Sequence, residues 1–393
     1  MPSRGSDQQN PIDRARELMD DFVVRTGLTG DGEPRRYLWT DAFAVCNLLA
    51  LASTLDEPRY RELARELINQ VHFVLGRHRS DDVRKGWISG LDEHTGRQHP
   101  TVGGLRIGKP LAERTPDDVV DERLEWNRDG QYFHYLTKWV HALDQAAHDT
   151  GEKSLRRWSR ELLETAADHF IVESHGTLRM VWKMSIDLSR PLVASMGHHD
   201  PLDGHVRCLQ LQSSGVDAGD REAADRMRTL AARFASMIHR DALATADPLG
   251  IGGLLMDTAA LAQLIDGEHI DDNGLLDALL SAGTGSLRQY ARQNDLDLPA
   301  THRLAFRELG LCIGLHGVPI IQRQVEAAPD RFDDAAQIGR RLDRLVEAAA
   351  LGREIEAFWL TPAHRQTDLW SEHGDINDVM LATALVPDGF LQC

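Results

Sequence analysis

The chain has 393 residues, 42% of them hydrophobic, and a formal net charge of −17 at pH 7. That length can bury a large core, while the acidic balance excludes nucleic acid and an anionic membrane surface as partners, because a polyanion is repelled over most approaches. Residues 1–11 are expected to be a disordered N-terminus and 12–393 a single domain, since no Pro-Ser-Gly linker divides the chain. The N-terminus lacks an apolar signal region and no uninterrupted apolar run is long enough for a bilayer, so a cytoplasmic location is the expectation.

Helical periodicity predicts alternation between two kinds of helix. The striped kind, apolar on one face, covers roughly Ile12 to Thr26, Pro58 to Arg77, Lys153 to Val172, Asp220 to Arg240, Asp271 to Gln293 and Asp330 to Ala350. The other kind is apolar nearly all round and must be enclosed by neighbours. It covers roughly Asp41 to Leu55, Asp129 to Asp149, Pro201 to Ser213, Gly250 to Asp266, Thr301 to His316 and Gly374 to Val386. Links from an enclosed helix to the next striped one are mostly tight, which suits antiparallel neighbours. Long links run the other way and therefore emerge at one end. The spacing predicts an all-α (α/α)6 toroid of six helical hairpins, with β-hairpins in the rim loops around residues 86–107 and 175–187. An open solenoid is disfavoured, because the Asp or His leading each enclosed helix, at 41, 129, 200, 247, 302 and 375, recurs at uneven steps of 88, 71, 47, 55 and 73.

In that arrangement six helix N-termini face one opening, where unsatisfied N–H groups favour electronegative oxygen. The leading Asp residues also suit N-capping, the plain structural reading. Trp39, Trp87, Trp126, Trp182, Trp359 and Trp370 fall in the connections on this rim. Indoles there offer flat platforms for a sugar's C–H face, or plug loops onto the ring. The densest polar segments are Glu125-Trp-Asn-Arg-Asp-Gly-Gln-Tyr-Phe-His134, Met196-Gly-His-His-Asp-Pro-Leu-Asp-Gly-His205 and Leu369-Trp-Ser-Glu-His-Gly-Asp-Ile-Asn-Asp378. Paired carboxylates of this kind serve glycoside hydrolysis, one protonated to release the leaving oxygen, one ionised to activate water. His198, His199, Asp200 and His205 lack metal-ligand spacing, Cys46, Cys208 and Cys312 read as small residues at helix contacts, and no metal or cofactor is expected. Phosphate-loop, Gly-x-Ser-x-Gly and dinucleotide motifs are absent. Acidic doublets such as Asp117-Asp118 read as solvated.

Arg36-Tyr-Leu-Trp-Thr-Asp41, Trp126-Asn-Arg-Asp129 and Gly197-His-His-Asp200 open enclosed helices, and with the overall architecture they make the chain resemble the six-hairpin glycosidase superfamily. The resemblance covers nearly the whole chain. It implies a carbohydrate or uronic-acid substrate and an Asp/Glu pair, for which Asp129 and Asp200 come first, then Glu372 and Asp41. A second branch, the N-acylglucosamine 2-epimerase-like sugar isomerases, is similar at Arg36, Trp39 and Trp370-Ser-Glu-His373, with Met380 beyond. That branch implies His373 as one acid or base, with His198, His199 and His302 competing to be the other. Substrate-binding candidates are Arg36, Trp39, Trp126, Arg128, His134, Trp182, His198, His199, His302 and Trp370. Arg36, Arg128, Arg190 and Arg303 would have to point inward to receive an acidic sugar. Glycoside hydrolase, sugar epimerase and noncatalytic ligand-binding toroid are the three classes in play, and the chain leaves room for a homo-oligomer.

Overall fold

The computed structural model describes residues 10–30, 32–265, 269–293 and 295–393. Residues 1–9 of the expected disordered N-terminus lie outside that range. Helix α1 (Pro11–Arg25) begins where the side chain of Asn10 accepts from the Ile12 N–H and Pro11 supplies its fixed φ. After it come the enclosed α2 (Leu38–Leu55) and the striped α3 (Pro58–Leu75). The long connection that follows holds the short helices α4 (Glu93–Gln98) and α5 (Glu122–Glu125) and strand β1 (Gln131–Tyr132). Then α6 (Phe133–Thr150) is enclosed and α7 (Lys153–Phe170) striped, before strands β2 (Ile171–Ser174), β3 (Thr177–Met180), β4 (Lys183–Met184) and β5 (Pro191–Val193). Enclosed α8 (Asp200–Asp217) and α10 (Pro248–Leu264) alternate with striped α9 (Arg221–Ala235) and α11 (Asn273–Tyr290). Enclosed α12 (Ala305–His316) leads to α13 (Val318–Ala327), α14 (Ala335–Glu347), α15 (Ala349–Leu360) and α16 (Asp368–Glu372), then enclosed α17 (Gly374–Leu385) and α18 (Asp388–Leu391).

The enclosed helices close a ring: α2 packs on α6, α6 on α8, α8 on α10, α10 on α12, α12 on α17, and α17 returns to α2. The striped helices lie outside, and α1 pairs with α17 to complete the sixth hairpin. This is the (α/α)6 toroid. Two of its helices touch almost backbone to backbone, because a Cβ at Gly252 of α10 would collide with the carbonyl of Gly310 in α12 and one at Gly314 with that of Gly252. Helix α2 has the length and mean hydropathy, 1.4, of a membrane span, but 78% of it is buried inside the ring, which accounts for its apolar character.

Three expectations need correction. The last outer helix is not one stretch over 330–350: Gly317 and Pro319 break the chain after α12, and α13, α14 and α15 share the outer layer, with α15 lying against α12. The segment 86–107 is not a hairpin; Asp92 caps α4 through two backbone N–H groups, and only an isolated bridge joins Arg77 to Trp87. The downstream hairpin does form, as antiparallel β2 and β3 turning at His175-Gly176, while β1, β4 and β5 make a small sheet beside it. Among the leading Asp residues, Asp247 alone caps its enclosed helix through its side chain, accepting from the Gly250 N–H.

Candidate active site

The first turns of the enclosed helices touch one another around one rim. Trp39 of α2 lies 6.0 Å from the ring of His134 in α6, and His134 Nδ1 is 3.8 Å from Asp200 Oδ1 at the start of α8. Arg307 of α12 pairs with Asp247, the cap of α10, and Phe306 stacks 5.4 Å from His373, which precedes α17. In a six-membered ring the third neighbour is opposite. The order of contacts therefore sets α8 across from α17 and α6 across from α12, so Asp200 and His373 start opposite helices.

An aromatic wall lines one side of this mouth. Trp126, 52% exposed, meets Trp182 edge-on at 4.8 Å; Trp182 lies 5.3 Å from Tyr132 and stacks at 6.0 Å with His134; Tyr135 stands between His134 and Trp39. The Tyr37 and Tyr135 hydroxyls share a 2.6 Å hydrogen bond. Buried Lys183 positions the wall by donating to the carbonyls of Glu125 and Arg128 and to the Glu125 carboxylate. Tyr37, Tyr132 and Tyr135 were not singled out from the sequence, although all three sit beside residues that were. Alternating aromatic and polar residues at a helix start was the signal available.

Among the described residues, the buried polar atoms at the mouth without a protein partner include Trp39 Nε1, His134 Nδ1, Asp200 Oδ2 and His373 Nδ1. Leaving such groups unsatisfied is costly, which favours a polar ligand over an apolar one. Burial, with the nearby Asp203 charge adding to it, pushes the Asp200 carboxyl up to about 8. Burial also lowers His134 to about 4, so at neutral pH the two face each other as neutral acid and neutral imidazole, not as an ion pair. Beneath them Asp203 is held ionised despite its burial, by Lys138 and Arg207, with Lys138 Nζ at 2.6 Å and the Thr137 hydroxyl at 2.8 Å. That network fills the bore and gives the site its floor.

Several sequence candidates lie elsewhere or are committed. Asp129 has no exposed surface; Arg106 Nη1 is 2.5 Å from its Oδ2, Arg79 approaches at 3.5 Å, and the Gly108 and Lys109 N–H groups bond Oδ1. It staples a loop and has no lone pair left for chemistry. Asp41 accepts from the Tyr37 N–H and lies 3.6 Å from Arg36; burial raises it to about 6 against the opposing Arg36 charge. Glu372 is exposed at the end of α16. Trp370 is buried against Trp359, Trp39 and Trp359 lie within helices, and Trp87 is buried with its N–H on Glu93. His302 is exposed and bonds Thr301. His199 Nε2 bonds the Leu243 carbonyl, whereas His198 is exposed beside it. His205 turns outward to Asp272 and the Ala231 carbonyl, so the histidines near 198 do not gather around a metal.

Of the four arginines considered for an acidic sugar, Arg128 pairs with Asp118, Arg190 bonds the Arg114 carbonyl and Arg303 forks onto Glu308. Arg36 donates to the Thr26 carbonyl and keeps two buried nitrogens unpartnered. Asp118 is thus not merely solvated, since it also accepts from the Thr115 N–H.

No protein-family model matches the chain, and no curated protein matches it either. Solved structures do. The α-1,6-mannanase of glycoside hydrolase family 76 from Salegentibacter aligns over 96% of this chain and 99% of its own, with a TM-score of 0.50 and 12% identity. A family 76 α-mannanase from Bacteroides thetaiotaomicron aligns over 96% of both chains, with a TM-score of 0.52 and 9% identity. A cellobiose 2-epimerase from Spirochaeta thermophila aligns over 88% of this chain and 98% of its own, at a TM-score of 0.42 and 12% identity. The chain shares the six-hairpin toroid fold of the two mannanases.

Proposed function

We propose that the protein is a carbohydrate-active enzyme working by acid–base catalysis at the mouth of the toroid. The observation that carries this reading is the pair formed by Asp200, protonated at neutral pH, and the neutral His134, beside an aromatic wall. Asp200 is the proton donor. Trp126 and Trp182 offer their faces to the substrate, and the Trp39 N–H meets a hydroxyl.

The reaction best matched is proton transfer within a sugar, of the 2-epimerase or isomerase kind. Inverting hydrolysis asks for a second, ionised carboxylate facing the first. Asp129 is consumed by Arg106 and backbone N–H groups, Asp41 is held by the Tyr37 N–H, Asp375 by Arg25, and Glu372 is exposed at the end of α16. Epimerisation asks instead for proton-carrying groups on two sides of one ring, and Asp200, beside His134, starts the helix opposite the one that His373 precedes. Hydrolysis remains the second reading, because a carboxyl raised to about 8 is also the general acid of a glycosidase. A panel of aldoses, ketoses and oligosaccharides incubated in deuterated water separates the two. Deuterium appearing at C2 supports epimerisation; release of new reducing ends with no carbon-bound deuterium overturns it in favour of hydrolysis. No turnover of any sugar, with unchanged ligand binding in Asp200→Asn, overturns both.

A further inference from the structure

At the opposite end of α12, away from the mouth, three side chains of metal-ligating type converge. Cys312 and His316 are four residues apart on one helix, so they share a face, and Glu356 reaches them from the antiparallel α15. Cys312 Sγ is 3.6 Å from His316 Nε2, which is 3.5 Å from Glu356 Oε2, and the three ligand atoms all lie within 4.8 Å of one another.

Two of these spacings match a tetrahedral metal site. Zinc bonds of about 2.3 Å to sulfur, about 2.0 Å to imidazole nitrogen and about 2.1 Å to carboxylate oxygen, set at tetrahedral angles, place sulfur about 3.5 Å from nitrogen and nitrogen about 3.4 Å from oxygen. The Cys312–His316 and His316–Glu356 spacings therefore lie close to those a single tetrahedral ion would impose, and the third edge is within 4.8 Å. The same spacings are held here by a thiol–imidazole hydrogen bond and a His–Glu ion pair, contacts that a bound metal would replace.

We propose that Cys312, His316 and Glu356 bind one zinc-class divalent cation that clips inner helix α12 to outer helix α15. The thiol, thiolate-prone only when a metal compensates its burial, gives its proton to solvent as the sulfur–metal bond forms. It relinquishes its 3.2 Å hydrogen bond to the Gly352 carbonyl in the same step. His316 binds as neutral imidazole and Glu356 as carboxylate. Both ligands are partly exposed, at 31% and 23%, which leaves the fourth position to water and gives the ion an entry path. The one-sulfur, one-imidazole, one-carboxylate donor set selects a borderline cation such as Zn²⁺ over Mg²⁺ or Ca²⁺. The site is structural, since α12 carries its mouth-facing residues roughly 15 Å away, ten residues at about 1.5 Å rise each. It does not depend on which reaction the mouth performs.

The test uses the full chain, stripped with a chelator, kept reduced and titrated with Co²⁺. The expected result is saturation at one ion per chain, with the intense visible bands of tetrahedral Co²⁺ and a thiolate-to-cobalt charge-transfer band, both abolished by one equivalent of Zn²⁺. Cys312→Ser, which keeps a donor for Gly352, should lose the charge-transfer band, and His316→Gln and Glu356→Gln should each bind at least tenfold more weakly. A band that persists in Cys312→Ser, or the absence of saturable binding to the wild-type chain, overturns the proposal. Should Cys312→Ser fail to fold, unchanged affinity in both partly exposed variants overturns it equally.

Discussion

Asp200 and His134, on neighbouring inner helices, stand 3.8 Å apart with a buried unpartnered atom on each. Both are uncharged at neutral pH, because burial raises Asp200 to about 8 and lowers His134 to about 4.

The pH dependence follows in sign. The folded Asp200 holds its proton up to about pH 8, while the unfolded group releases it near its ordinary value of 3.8. This residue therefore costs no stability below pH 4, and its cost grows as pH rises towards 8 and then levels off. Asp200→Asn should remove the cost, flattening stability against pH and raising it at pH 8 by on the order of 5 kcal/mol. Activity should fall by about 10²-fold or more in the same variant, and wild-type activity should decline above pH 8. Urea unfolding at several pH values, with parallel rate profiles, reads both; a variant no more stable at pH 8 than at pH 4 relative to wild type contradicts the assignment.

Asp129 should behave in the reverse way. Asp129→Ala leaves the Arg106 guanidinium buried without its carboxylate, at a cost on the order of 3–5 kcal/mol. Below the melting transition the kcat of the folded protein should be unchanged. A stable Asp129→Ala protein without activity would return this residue to the chemistry.

Trp126 is the exposed end of the aromatic wall, so Trp126→Ala should leave the melting temperature nearly untouched. Its effect should be on binding, raising KM about tenfold for a loss of about 1.4 kcal/mol, within the range of a stacked ring. Trp39→Phe is the complementary probe, removing the unpartnered N–H while preserving the ring; it should weaken a hydroxyl-bearing ligand more than a deoxy analogue. Isothermal titration with a matched pair of sugars checks this.

Gly252→Ala should destabilise the ring by about 3 kcal/mol, because the added methyl meets the backbone of α12 and the two helices must separate. Gly310→Ala meets the end of the flexible Leu249 side chain instead and should cost less than about 1 kcal/mol. Denaturant midpoints of the two variants, compared side by side, test whether this crossing is set by backbone contact.

The alternation of striped and enclosed helices was legible because each residue's own hydropathy reports which way its face points. Tyr60, Leu67 and Val71 mark the inward face of α3, and the apolar run after Asp41 marks a helix with neighbours on all sides. The outer layer after His316 was not legible, because the periodicity of 330–350 carries no information about Gly317 and Pro319 upstream. Site residues were harder still. Asp129 and Asp200 look equivalent as acidic residues near helix starts, but Arg106, distant from the helix that Asp129 precedes, claims the first, while the second keeps an unpartnered Oδ2.

Local pattern, then, was enough to determine the kind of helices, their order and the rim on which the long connections gather. It could do so because burial periodicity is a property of neighbours along the chain. The protonation state of Asp200, the loss of Asp129 to a structural role, the wall from Trp126 to Trp39 and the Cys312–His316–Glu356 triangle were decided by tertiary structure alone. Desolvation and pairing depend on which side chains arrive from other helices, and a linear sequence records that only once the ring has closed.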